Sequence, residues 1–430
     1  YLQSMKKLCV ISCPIATRSG YGARARDFVR SLIDLKGDEW DIKILGQRWG
    51  TTPMNALTPD DNDLISRLIP KLETKPDVWI MVTIPSEFQP VGHFNIGVSA
   101  VIETSDASAD FIEGCNRMDL NLVSSKHSAA TLSAVYDKLN DQTKQKIGEL
   151  KIEKPVEVLF EGYDSKVYDH KKPIDDNVKK VFQKIPEQFC FLFVGHWLHG
   201  ADGQDRKNIY SLVKVFLNTW KGMSFRGKAK PALILKCNNG QPSISSVHRI
   251  KKVIERCKRR IGGSNFPNIY ILDGDFTNEE MNSIYNHPQV KAHVSFTHGE
   301  GFGRPLLEAC ISGKPIIASA WSGHLDFLHK EYNFLVGGNL QEVHPSSSNK
   351  WIIQGSRWFK IDHNQASSVM KSVYNSYKKA LGLSRKNRHF VKTNFTQEKM
   401  TEKLGELLTQ YKVGEGPKQV GLKLPKLKKK

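Results

Sequence analysis

The chain lacks any apolar run near the ~20 residues that a helix needs to cross a bilayer, so no transmembrane helix is expected. It lacks Cys-x-x-Cys spacing as well. Cys9, Cys13, Cys115, Cys190, Cys237, Cys257 and Cys310 are scattered, mostly in apolar segments. That arrangement supports neither a zinc site nor a dithiol redox motif, and it suits a reducing cytoplasm. There is no Gly-x-Gly-x-x-Gly, hence no dinucleotide fingerprint. No group of His, Cys, Asp and Glu has metal-ligand spacing, so no metal is expected. Nothing reads as a secretory signal, and Tyr1-Leu-Gln-Ser4 before Met5 reads as a remnant of an expression vector. Acid is scarce relative to base: 44 Asp+Glu against 63 Lys+Arg leave a formal charge of +19. A cleft for one diphosphate needs only a few cations, so the excess points to a polyanionic partner.

What is present is an alternation of strand and helix patterns. At 430 residues, with 39% hydrophobic content, the chain is long enough for two domains with full cores. Strands are expected at 7–12, 41–45, 78–83, 96–102, 120–123 and 156–160, with helical patterns at 23–35 and 127–139. A polar stretch, 166–177, reads as a linker. A second alternation follows, with strands at 189–194, 232–236, 269–272, 290–296 and 315–318 and helices at 210–220, 247–261 and 304–311. Thr277 to Glu280 is a capping box that opens a further helix. The pattern predicts an α/β protein of two Rossmann-like domains with a cleft between them. A helix at 395–411 is expected to cross back to the first domain. The tail from Lys418 to Lys430 has six lysines and no acid and is expected to be disordered.

The densest chemistry lies in His298-Gly-Glu-Gly-Phe-Gly-Arg-Pro-Leu-Leu-Glu-Ala309. Two carboxylates, Glu300 and Glu308, flank a turn where a strand hands over to a helix. Gly301, Phe302 and Gly303 place backbone N–H groups there, at a helix start that favours phosphate. Alone, such a segment could be a surface turn with two solvated glutamates. Arg206 and Lys207 open another helix, where cations are disfavoured by the dipole unless an anion is near. Pro14 to Gly22 forms a loop after the first strand and presents Gly20, Tyr21 and Gly22. Arg249, Lys251, Lys252, Arg256, Lys258, Arg259 and Arg260 crowd one segment, as a solvated face or a polyanion contact.

Glu300-Gly-Phe-Gly-Arg-Pro-Leu-Leu-Glu308, followed by Gly313-Lys-Pro-Ile-Ile-Ala318 and Ser322-Gly-His324, resembles family 4 of the glycosyltransferases, retaining enzymes of the GT-B fold. Phe189-Cys-Phe-Leu-Phe-Val-Gly195, Arg206-Lys-Asn208, Glu103-Thr-Ser-Asp106 and Glu161-Gly-Tyr-Asp164 extend the resemblance over about 6–395. One departure is that Gly195 is followed by His196 instead of arginine, with a longer loop before Arg206. The resemblance implies an acceptor-side domain at 5–172, a nucleotide-sugar domain at 178–394, the crossing helix at 395–412 and a basic tail at 413–430. It implies that Lys207, Arg206 and the loop N–H groups meet a diphosphate. Glu300 would position the donor sugar and Glu308 would bind the ribose. Gly20, Tyr21 and Gly22 would face the donor, which the resemblance implies is a UDP-sugar, with no cofactor required. His196, His298 and His324 read equally as turn or core histidines, and Glu103 as an acceptor ligand or a helix cap.

The acceptor is the open part. The charge suits DNA carrying hydroxymethylated bases, and 321–327 is similar to phage sequences, which would place the protein in a host cytoplasm. A base in a duplex would have to flip into the cleft. A bacterial surface glycan or glycolipid is the rival acceptor, and a catalytically dead GT-B protein that binds DNA or glycan is the non-enzyme alternative.

Overall fold

A computed structural model describes residues 6–198, 201–237 and 243–416; the expected tail, Lys418 to Lys430, lies outside them. The first sheet comprises β1 (Lys7–Cys13), β2 (Trp40–Gly46), β3 (Leu68–Ile69), β4 (Val78–Val82), β5 (Phe94–Ser99), β6 (Leu120–Val123) and β9 (Val156–Val158). An antiparallel hairpin, β7 (Tyr136–Leu139) and β8 (Lys146–Leu150), precedes β9. The sheet order is β3-β2-β1-β4-β5-β6-β9, with every pair parallel. The second sheet has β10 (Phe189–Val194), β11 (Pro231–Lys236), β12 (Ile269–Leu272), β13 (Val290–Ser295), β14 (Ile316–Ser319) and β15 (Phe334–Val336), in the order β12-β11-β10-β13-β14-β15 and again all parallel. A further hairpin, β16 (Gly338–Glu342) and β17 (Arg357–Ile361), follows it. Both expected parallel sheets are therefore present. Their central strands are nearly continuous apolar runs because helices cover both faces.

The helices are α1 (Gly20–Lys36), α2 (Asn62–Ile65), α3 (Ala109–Asn116), α4 (Lys126–Leu132), α5 (Asp176–Phe182), α6 (Ile209–Trp220), α7 (Ile244–Ile261), α8 (Asn278–Asn286), α9 (Arg304–Cys310), α10 (His363–Asn375), α11 (Tyr377–Asn394) and α12 (Gln397–Gln410). Among the described residues no helix is long and apolar enough to cross a membrane. All seven cysteines are buried and free.

Four local expectations change. The helix read at 127–139 stops at Leu132, and the chain turns into the β7–β8 hairpin. Tyr136 and Leu139 keep a helical spacing from Leu132, which is why the period misleads. The structure instead uses the Tyr136 hydroxyl to hold the Thr131 carbonyl and the Ala107 N–H. Asn140 makes the hairpin turn by accepting from the N–H groups of Gln142 and Thr143. Helix α1 begins at Gly20, capped by Ser19, so Gly20, Tyr21 and Gly22 form its first turn and not a loop. The stretch 166–177 is tied down by Asn282 and Ser283 of α8, which accept from the Asp169 and Asp175 N–H groups. The last helix starts at Gln397, because Thr396 caps it and buried Phe395 marks the break from α11.

Helix α12 packs on the first sheet's layer. Met400, Leu404, Leu407 and Leu408 share one core with Phe28, Val29 and Leu32 of α1. Leu404 is fully buried there. Leu404→Ala should lower unfolding stability by about 2–5 kcal/mol, through lost burial plus an unfilled cavity. Urea unfolding followed by circular dichroism reads this; a change under about 0.5 kcal/mol would mean that α12 is not an integral part of the first core.

Candidate functional site

The turn from β13 into α9 brings Glu300 into the seam between the two sheets' layers. Lys207 Nζ donates to Glu300 Oε1 at 2.5 Å, and Arg206 Nη1 donates to Glu300 Oε2 at 3.2 Å. Arg206 Nη1 also donates to the Gly299 carbonyl, 2.9 Å away, and its Nε lies 3.6 Å from Glu103 Oε1 on the opposite layer. The longer loop before Arg206 therefore still delivers both cations to Glu300. Asn208 makes this possible by adopting a left-handed backbone at φ 54° as the cap of α6. Its side chain donates to the Phe296 carbonyl at 2.9 Å, and the His298 N–H donates to the Arg206 carbonyl. These contacts together join the start of α6 to the segment that follows β13.

Burial alone would raise the Glu300 carboxyl, but Lys207 and Arg206 outweigh it and hold the group down at about 2. Glu308 goes the other way. Burial pushes it up to about 7, against the lowering effect of Arg304 and the Tyr168 and Tyr285 phenols. Arg304 Nε lies 3.4 Å from Glu308 Oε1, an i,i+4 pair on α9, and the Tyr285 hydroxyl donates to Glu308 Oε2 at 3.3 Å. Arg304 also binds Asp27 of α1, across the seam. The two carboxylates of the motif are therefore one ionised and one poised to hold a proton.

The glycines also let the two layers come close. A Cβ on Gly299 would lie 1.8 Å from the Glu103 carbonyl oxygen, and one on Gly301 would lie 1.9 Å from that of Ala100. These two positions let the opposite layer touch the loop. Gly303 has φ +97° and caps α9. The N–H groups of Gly301, Phe302 and Gly303 have no hydrogen-bond partner among the described residues. The Phe302 ring is buried against Phe327, so only its backbone is available to a ligand. Ser322 accepts from the Glu300 N–H at 2.8 Å, and the Gly323 N–H donates to the Glu300 carbonyl at 2.9 Å.

The remaining expected residues are placed as follows. The Tyr21 hydroxyl is shared between Ser99 Oγ and the Ala100 N–H, and its ring stacks on Trp49 at 4.1 Å. It braces the segment that meets Gly301. Gly22 is required by the Thr17 carbonyl, 2.2 Å from where a Cβ would sit, and Gly20 faces outward. His298 and His324 are buried frame residues, bonded to the Phe359 and Ser319 carbonyls at 2.6 Å each. Burial pushes His298 down to about 4 and also lowers His324, so both are neutral near pH 7. His196 is exposed at the end of β10. Glu103 proves to be part of the cluster, together with Asp27, Tyr168 and Tyr285, which the sequence reading left out. The i,i+4 spacing of Arg304 and Glu308 was a usable signal; Asp27 and the two tyrosines had none.

The space beside Glu300 and Lys207, lined also by Tyr285, Ser295, Gly303 and Leu306, is only ≈ 20 Å³. Ligand sites generally need roughly 300–1,000 Å³. Next to this space the two layers meet at the Gly299–Glu103, Gly301–Ala100 and Arg304–Asp27 contacts.

Neither a protein-family model nor a curated protein sequence matches the chain. Solved structures do match, over nearly its whole length. Sucrose-phosphate synthase from Thermosynechococcus elongatus is 14% identical, with a TM-score of 0.59, covering 94% of this chain and 99% of that one. A glycosyltransferase from Rickettsia africae ESF-5 is 14% identical, with a TM-score of 0.60 and coverage of 94% and 98%. HepE from Anabaena, in complex with UDP and glucose, is 11% identical, with a TM-score of 0.57 and coverage of 94% and 100%. The fold is accordingly GT-B: two Rossmann-like layers facing each other across a cleft.

Glu308 generates a pH prediction. Its folded value of about 7 exceeds the ordinary 4.5, so between those values the folded protein holds a proton that the unfolded chain has released. Its contribution to stability falls as pH rises through that window. Glu308→Gln removes the titration. Urea midpoints at about pH 5 and about pH 8 should therefore show wild type losing ground to the variant. A pH-independent difference would mean that Glu308 is ionised throughout.

Proposed function

We propose that the chain is a retaining glycosyltransferase that moves a sugar from a nucleotide-sugar, a UDP-sugar, to a hydroxyl acceptor. The observation that carries this is the Glu300 cluster: two cations on one buried carboxylate, beside three N–H groups without a partner among the described residues, at the seam of a GT-B fold. The UDP and glucose held by HepE support the choice of donor. In this reading the donor's diphosphate shares Lys207 and Arg206 with Glu300. Glu300, still ionised, then accepts from hydroxyls of the donor sugar. Glu308 accepts from the ribose. The bond from the anomeric carbon to the diphosphate oxygen breaks, and the acceptor oxygen bonds to the same face of that carbon. The acceptor's proton passes to the departing phosphate oxygen. Lys207, Arg206 and the N–H groups of Gly301 to Gly303 stabilise the charge that develops there, which is usually a large part of catalysis.

The acceptor in this reading is DNA that carries a hydroxymethylated base. The support is the +19 charge, far beyond what one diphosphate needs. Ordinary bases offer no comparable alcohol, so sugar should appear only on DNA that carries one. Incubation with a panel of UDP-sugars, digestion to nucleosides and mass spectrometry decide this. Transfer to a glycolipid acceptor instead would replace DNA, and no transfer or donor hydrolysis with any acceptor would make the protein a binder without catalysis.

Two sets of variants test the donor half. Lys207→Ala should lower kcat roughly a hundredfold with circular dichroism unchanged, because the leaving group loses a preorganised cation. Glu308→Ala should weaken UDP binding by about 1.5–3 kcal/mol, the size of a hydrogen bond to a charged group. Glu300→Ala should reduce turnover more than affinity for UDP alone. Calorimetry with UDP separates binding from turnover, and wild-type behaviour in all three variants would remove these residues from the site.

A further inference from the structure

We infer that the outer face of α11 is a docking surface for the phosphate backbone of a nucleic acid. The helix runs Tyr377–Asn394 and carries Lys378, Lys379, Arg385, Lys386, Arg388, His389 and Lys392 without a single acid. At 3.6 residues per turn, Lys378, Lys379, Arg385, Lys386, His389 and Lys392 fall on one side of it. All six are exposed, while Ala380, Ser384, Asn387 and Val391 on the other side are buried. From Lys378 to Lys392 the face is about 21 Å long at ~1.5 Å per residue. Duplex DNA presents a negative charge every ~1.7 Å of its axis, so several phosphates fit along such a face.

The charge on α11 is left standing where the chain neutralises it elsewhere. Among the described residues no base of α11 makes an ion pair. On the next helix Lys399 pairs with Glu402 at 2.8 Å and Lys403 with Glu406 at 3.7 Å. A purely solubilising surface gains more from such interspersed pairs than from a field of one sign. The segment His170-Lys171-Lys172 adds to the same field. Burial and then the nearby Arg388, Lys392 and Lys171 lower the proton affinity of His170, with Asp169 the acid that opposes them.

A membrane surface is the poorer fit. None of the exposed large hydrophobic residues lies on α11, and its apolar side is already packed inside the fold. A helix that lies in a bilayer interface needs a free apolar face. The position suits a polymer served by the cleft. Asn387 donates to Cys310 Sγ at 3.4 Å, and Cys310 ends α9, whose other end is the Gly303 cap. The buried side of α11 is thus one short helix, about 10 Å, from the glycine-rich loop, and the basic face is the outward side of the same helix.

The inference rests on the polyanion half of the proposed function, and its test separates the two. Lys378→Gln, Lys379→Gln, Arg385→Gln and Lys386→Gln are combined in one variant of the full chain. Affinity for a fluorescent duplex of ordinary bases is followed by anisotropy between about 50 and 200 mM salt. The variant should bind at least roughly tenfold more weakly at low salt, with its log–log salt slope shallower by about 3–4, since each lost phosphate contact removes ~0.9 from the slope. Lys399→Gln with Lys403→Gln, on the neutralised helix, should leave affinity and slope as in wild type. UDP affinity should be unchanged in both. Wild-type duplex binding by the fourfold variant overturns the inference. So does a wild-type protein that ignores duplex but sediments with phosphatidylglycerol vesicles. Failure of wild type to bind UDP would instead overturn the glycosyltransferase reading and leave the duplex result to stand on its own.

Discussion

The Glu300 carboxylate, buried between Lys207 and Arg206, is the interaction on which the rest of the site depends. A charge buried without a partner is costly, and each of these three groups would be one without the others. Their mutual requirement fixes where α6 may start and where β13 must end. It also answers the objection that cations are out of place at a helix start, because the anion that keeps them there belongs to the chain itself. Arg206 then reaches past Glu300 to Glu103, so the same cluster that organises one layer also fastens it to the other. A ligand that competes for Arg206 acts on both at once.

Much of the architecture was legible in the chain because both sheets are covered on both faces. Cys9 to Cys13 and Phe189 to Phe193 are buried side by side, and such strands read as unbroken apolar runs. The hairpin at β7 and β8 was not legible. Its residues are largely exposed, and its pairing is decided by Tyr136 reaching Ala107, a contact 29 positions away. The start of α1 was missed for the opposite reason, since two glycines at Gly20 and Gly22 suggested a loop although Ser19 was in place to cap a helix.

The site divides along the same line. Glu300, Glu308, Arg206, Lys207 and the glycine turn lie in two short segments whose residue types carry their chemistry with them. The partners that decide how those groups behave come from afar. Asp27 meets Arg304 across 277 positions, and no local pattern marks it. The glycines show a second limit. Gly301 was read for its backbone N–H alone, yet its missing side chain makes room for the Ala100 carbonyl, as that of Gly299 does for the Glu103 carbonyl. A residue type reveals that something comes close; only the fold reveals what.

The chain passes between the two layers twice, and at the same place. Tyr163 and Thr396 lie side by side as a parallel bridge. The Tyr163 N–H donates to the Phe395 carbonyl and the Gln397 N–H to that of Tyr163, each at 3.0 Å. Gly162 presses so closely on Gln397 that a Cβ there would lie 2.6 Å from the Gln397 Cα. A single strand of backbone between two bodies is a swivel, free to twist as well as to bend. Two strands laced together behave as the leaves of a door hinge, which resists twist and leaves one axis of swing. The lacing holds the two crossings in one register with each other, so neither can slide along the other without breaking both backbone bonds.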